Sequence, residues 1–150
     1  MIKTPTLEEL KVLSAKLPKK IPYLKMLVLF GSRARGDTHA NSDWDFAALY
    51  DQKIREEFCK NSGFGWFEVP GIIEEVFSIN SDNIDVVDLN RSSPLIAHFV
   101  ARDGKLIYEK EPGEFDKFKQ QALMSDMEIQ DLEHNLRQNI NKFLKEWGLV

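Results

Sequence analysis

Apolar and polar positions alternate along the chain in segments of distinct period. From Thr6, a helix-capping residue followed three positions later by Glu9, apolar residues recur at Leu7, Leu10, Val12, Leu13, Ala15 and Leu17, which predicts a helix that Pro18 stops. The run Leu24 to Phe30 is β-favouring and, apart from Lys25, continuous in hydrophobicity, the pattern of a strand buried on both faces. A glycine-rich polar connection, GSRARGDTHANS, leads to a second strand over Asp43 to Tyr50. Helices are predicted over Gln52 to Lys60 and Ile72 to Ile79, on either side of a stretch with three glycines and the Trp66-Phe67 pair. Ile84 to Leu89 predicts a third strand. Ser93 as N-cap with Pro94 behind it opens a helix to about Arg102, and Lys105 to Glu109 forms a fourth strand at a sheet edge.

Beyond Pro112-Gly113, the residues Phe115, Phe118, Ala122, Ile129, Leu132, Leu136, Ile140, Phe143 and Trp147 recur at steps of three or four, with Ser125 in the one gap. This predicts a single terminal helix over 113–148. Such a helix spans about 50 Å, against a radius of gyration near 15 Å for a compact chain of this size, so its far end is expected to meet a partner.

Composition narrows the possibilities. With 150 residues, 43% hydrophobic and 29% charged, the chain has room for one domain with a real core. The longest apolar run is only a strand in length and the start MIKTPTLEEL lacks a signal-peptide core, so a cytoplasmic protein without a membrane span is expected. The single cysteine, Cys59, and the scattered His39, His98 and His134 offer neither a disulfide nor zinc-ligand spacing. A net charge of -4 argues against direct binding of long nucleic acid and favours a small substrate or a protein partner.

Candidate chemistry gathers at three places. Side chains at i and i+2 on a strand share a face, so Asp43 and Asp45 present two carboxylates together, suited to hard divalent cations, while Trp44 and Phe46 face the other way. A third carboxylate from the strand holding Asp85 and Asp88 completes a two-metal site for phosphoryl or nucleotidyl transfer. Gly31 lets phosphate approach the backbone, the Ser32 hydroxyl adds a donor, and Arg33 and Arg35 are cations able to grip phosphate oxygens. The alternation Asp37, His39, Asn41, Asp43 is not a calcium loop, because the sixth position is Ser42 and the twelfth Ala48. Arg102 reads as a cation at a helix end.

Gly31-Ser32, ten residues, Asp43-x-Asp45 and then Ile84-Asp85-Val86 together resemble the minimal nucleotidyltransferases of the polymerase-β superfold. Within that family, GSRARGDTHANSDWDFA and DVVDLNRSSPLIAHFVARDGKLIYE resemble the MntA antitoxins paired with HEPN ribonuclease toxins, over about residues 24 to 109. The resemblance implies an α+β fold with a mixed sheet and flanking helices, two Mg²⁺ ions, ATP as donor, and transfer of AMP to a tyrosine of a HEPN toxin. It makes Gly31 and Ser32 the triphosphate-binding pair and Asp43 and Asp45 the shared metal ligands. Asp85 is the third carboxylate, with Asp88 as the alternative. A small-molecule acceptor such as an aminoglycoside, or a non-catalytic antitoxin acting by cover alone, are the competing readings.

Overall fold

The computed structural model describes residues 4–36, 43–62, 69–80 and 83–148. Trp66 and Phe67 and the connection over 37–42 lie outside the described residues. Four strands form one sheet: β1 (Leu24–Phe30), β2 (Trp44–Tyr50), β3 (Ile84–Asp88) and β4 (Lys105–Glu109), in the order β3-β2-β1-β4. β1 runs antiparallel to both β2 and β4, whereas β2 and β3 are parallel. β4 lies at an edge, as its short mixed pattern predicts.

The helices are α1 (Leu7–Leu13), α2 (Leu17–Lys20), α3 (Ser32–Arg35), α4 (Gln52–Ser62), α5 (Val69–Phe77), α6 (Pro94–Asp103), α7 (Glu114–Ala122) and α8 (Asp126–Glu146). Thr6 caps α1 by accepting from the Glu9 N–H at 3.2 Å. The helix nevertheless ends at Leu13, before Pro18. A 3-10 turn over Ser14–Lys16 follows, and Pro18 sits in the first turn of α2, where its missing N–H costs nothing.

Both faces of the sheet are covered, which is why β1 is apolar from Met26 to Phe30. On one face Leu27, Leu29, Trp44 and Phe46 pack against Leu10 and Leu17 from the N-terminal helices and Ile73 and Phe77 from α5. On the other, Met26, Val28 and Ala47 pack against Val100 of α6 and Phe115 of α7. The two sets stay separate because alternate side chains on a strand point to opposite faces. At Gly104, just past α6, an added Cβ would fall on the Val100 carbonyl and the Val28 side chain, so glycine lets the end of α6 lie directly on β1.

The terminal segment departs from the predicted single helix. It breaks over Leu123 to Ser125, because Ser125 caps a new helix: its hydroxyl accepts from the Glu128 N–H at 3.2 Å and the Glu128 carboxylate reaches back to the Ser125 N–H at 3.4 Å. The Met124 N–H is taken up by Nδ1 of the buried His98 at 3.0 Å, fixing the break against α6. Only α7 contributes to the core. α8, about 32 Å long, has no buried residue, and its stripe stands open, with Ile140, Phe143 and Trp147 at 57%, 54% and 68% exposure.

β3 ends in a polar knot. The Asp88 carboxylate accepts from Arg55 Nη1 at 3.0 Å and from the Asn90 N–H at 2.9 Å. Arg55 is 6% exposed and lies over the Tyr50 ring at 4.2 Å. The Asn90 amide pairs with the Tyr50 backbone at 2.9 and 3.0 Å, standing in for a further step of ladder. Removing the anion takes a 3.0 Å ion pair from a buried guanidinium. Asp88→Asn is therefore expected to lower stability by about 2 kcal/mol in a denaturant titration, while Asp85→Asn, at an exposed position, leaves it within about 0.5 kcal/mol.

Candidate active site

Phe30 ends β1, and the chain turns at Gly31 with φ 74° and ψ -157°, a region open essentially to glycine alone. The Gly31 carbonyl accepts from the N–H groups of Ala34 and Arg35 at 3.2 and 3.1 Å, which winds Ser32–Arg35 into the single turn α3, and Gly36 ends it in the left-handed conformation. The bend has a second requirement. A Cβ at residue 31 would land on the Asp45 carboxylate oxygen, closer than any real side chain can approach. Glycine here is thus demanded both by the backbone and by the acid beside it.

Strand register brings the acids together. Asp45 is the cross-strand partner of Phe30 on one side and of Asp85 on the other, so the three strand ends lie in one row. Asp43 stands exposed just before β2, Asp85 is exposed, and Asp45 is half-buried between them. The Asp45 carboxyl titrates above the usual carboxylate range, first through burial and then through the charges of Asp85 and Asp43, with Arg35 opposing. Among the described residues no three histidine, cysteine or acidic side chains close on a single point as a finished metal cage. The carboxylates are oxygen donors whose mutual repulsion a divalent cation would offset. Hard oxygen donors of this kind fit Mg²⁺.

Of the two strand-three candidates, Asp85 lies in that row. Asp88 pairs with Arg55 and is turned to structural use. The two arginines, expected to act together, are divided by their spacing on a helical turn. Arg33 lies over the Trp44 ring at 4.1 Å, where burial lowers its pKa against the opposing charge of Asp43. Arg35 is on the Asp45 side, and its charge reaches both Asp45 and Asp103. Ser32 opens the turn, half-buried, next to Gly31.

The sequence reading missed what α6 adds. Its last turn brings Phe99, Arg102 and Asp103 to the same rim, beside Gly31 and Arg35. Arg102, read as a helix-end cation, makes a two-point ion pair to Asp103 in the last turn of α6, at 3.0 and 2.9 Å, and lines the rim beside the bend. The available signal was Arg102 and Asp103 just ahead of the Gly104 turn, but nothing in their spacing tied them to Gly31.

Comparison with known proteins agrees with this geometry. The family described as "Polymerase beta, Nucleotidyltransferase" matches residues 13–113. The protein adenylyltransferase MntA of Aphanizomenon flos-aquae (strain 2012/KM1/D3) is 56% identical over 147 residues, covering 98% of each chain. Among solved structures, a toxin-antitoxin crystal structure with AMP-PNP superposes with a TM-score of 0.54 at 23% identity, over 89% of this chain and 98% of that one. A complex of a tri-AMPylated Shewanella oneidensis HEPN toxin with its MNT antitoxin gives 0.51 at 20% identity, over 93% and 99%. These structural likenesses establish the fold. The family match and the near full-length identity establish the rest: the chain belongs to the polymerase-β nucleotidyltransferase family, in its MntA branch, and is a nucleotidyltransferase.

Proposed function

We propose that the chain transfers AMP from ATP to a tyrosine of a cognate HEPN ribonuclease toxin in a Mg²⁺-dependent reaction, and so acts as an antitoxin in the cytoplasm. The observation that carries this reading is the register of Asp45 with Asp85 beside the Gly31 bend, in a chain 56% identical to a protein adenylyltransferase. A complex of fold-related chains with an AMPylated toxin supports the choice of acceptor.

In this mechanism Gly31 and Ser32 take the triphosphate, with Arg35 neutralising charge from the acid side of the turn. Asp43, Asp45 and Asp85 would hold two Mg²⁺ ions, which supply charge neutralisation for the phosphates when bound. The acceptor oxygen attacks the α-phosphorus, the bond from that phosphorus to the β-bridging oxygen breaks, and pyrophosphate leaves. In this reading Asp85, exposed on the edge strand β3, takes the hydroxyl proton. Arg33 acts less on phosphate than on Trp44, holding the turn against the sheet.

The acceptor is brought by the partner, and α8 is the surface proposed to meet it. A helix with no buried residue and an apolar stripe through Leu136, Ile140, Phe143 and Trp147 needs cover that the rest of the described residues do not give it. No described helix is long and apolar enough to cross a membrane.

Two outcomes follow. Asp43→Asn with Asp45→Asn should cut label transfer from α-labelled ATP to the partner by about a thousandfold with unchanged circular dichroism, and Gly31→Ala should do the same by displacing Asp45. Undiminished transfer by the double variant rejects the site. Ending the chain after residue 125 should weaken partner binding at least about tenfold while ATP binding stays near parental, since α8 adds nothing to the core.

A further inference from the structure

The apolar stripe of α8 reads the same in both directions. From Ile129 its positions fall at Leu132, Leu136, Ile140 and Phe143, at steps of three, four, four and three, so that Leu136 is a centre of symmetry. A two-fold contact requires that if residue i meets j, then j meets i. An antiparallel second α8 centred on Leu136 satisfies this at every level: Leu136 meets its own copy, Leu132 meets Ile140 of the second copy and Ile129 meets Phe143. Leu136, Ile140 and Phe143 stand exposed, and Ile129 and Leu132 are half-buried.

The charges of α8 are sorted in the sense that such a pairing needs. Asp126, Glu128, Asp131 and Glu133 occupy its first half, whereas Arg137, Lys142 and Lys145 occupy its second, with Glu146 the one acid there. All are exposed, and the ion pairs among the described residues involve none of them. An antiparallel copy lays the acidic half of each helix along the basic half of the other, and it opposes the two helix dipoles. A parallel copy would set acid on acid and base on base. The mismatch that remains, Asp126 against Glu146, falls at the outer ends, where salt screens it. The same sorting weighs against a lipid surface, which calls for lysine and arginine along the whole polar face, while α8 carries five acids to three bases.

We propose that two copies of the free chain pair through α8, antiparallel and centred on Leu136, and that the partner must part them to reach the stripe. Because α8 places no residue in the core, the pair forms and separates without disturbing the sheet. The pairing itself needs only the surface of α8. Its exchange for the partner rests on the docking role proposed above.

Sedimentation equilibrium of the full-length chain over about 1 to 100 µM tests the pairing, with the parent passing from monomer to dimer in that range. Leu136→Asp sets two carboxylates against each other at the centre. It should raise the dissociation constant at least about a hundredfold with unchanged circular dichroism, the position being exposed. Lys142→Glu with Lys145→Glu makes α8 acidic almost throughout, and Asp131→Lys with Glu133→Lys makes it mainly basic. Each double variant should stay monomeric alone, and the two mixed should give a heterodimer. A parent still monomeric at about 100 µM, a dimer that survives Leu136→Asp, or a mixture that fails to pair overturns the proposal. For the exchange, labels on Gln138→Cys report the pair by energy transfer, the native Cys59 being buried. Adding the partner should abolish that transfer, and transfer retained in the full complex overturns the exchange while leaving the pairing to the sedimentation result.

Discussion

The carboxylate of Asp45 occupies the space that a side chain at residue 31 would need, and the candidate site is arranged around that contact. Because residue 31 is glycine in a backbone region closed to other residues, β1 can end in a bend that touches β2. The acid and the bend thus share one location. The antiparallel pairing of Phe30 with Asp45 fixes the bend beside that acid. The parallel pairing of Asp45 with Asp85 then adds the third acid from the opposite side.

The cost of this arrangement is electrostatic. Asp45 is half-buried among like charges and its carboxyl is pushed toward the neutral form, a condition that the apolar packing beneath must sustain. Trp44 and Phe46, on the reverse of the same strand, are buried and stack at 6.1 Å, so β2 is held from behind while its front face carries the acids. Asp88, three residues beyond Asp85 on β3, shows the contrasting use of a carboxylate: it neutralises the buried Arg55 and stabilises the fold.

Much of this was legible in the sequence because it depends on local period and adjacency. The apolar run Met26 to Phe30 marked a doubly covered strand, and the placing of Asp45 on the face opposite the buried Trp44 and Phe46 follows from the two-residue repeat of β structure. The Ser93-Pro94 start of α6 and the Thr6 cap were readable for the same local reason. The end of α1 was not, because proline is harmless in a first turn and Pro18 therefore marks a new start instead of a stop. Ser125 was read as filler in a stripe when the Ser125-x-x-Glu128 signature marks a cap, and the stripe's even spacing across the break concealed it. The division of Arg33 from Arg35 and the arrival of Phe99 and Arg102 beside Gly31 depend on how α3 and α6 pack, which no linear spacing encodes.

The central claim is that the three acids of this row bind divalent ions next to a nucleotide. Electron paramagnetic resonance of Mn²⁺ titrated into the chain with a non-hydrolysable ATP analogue measures this directly. Two bound ions per chain in the parent, with both lost when Asp45 is changed to Asn, is the result expected. Equal Mn²⁺ binding by parent and variant would contradict the account at its base.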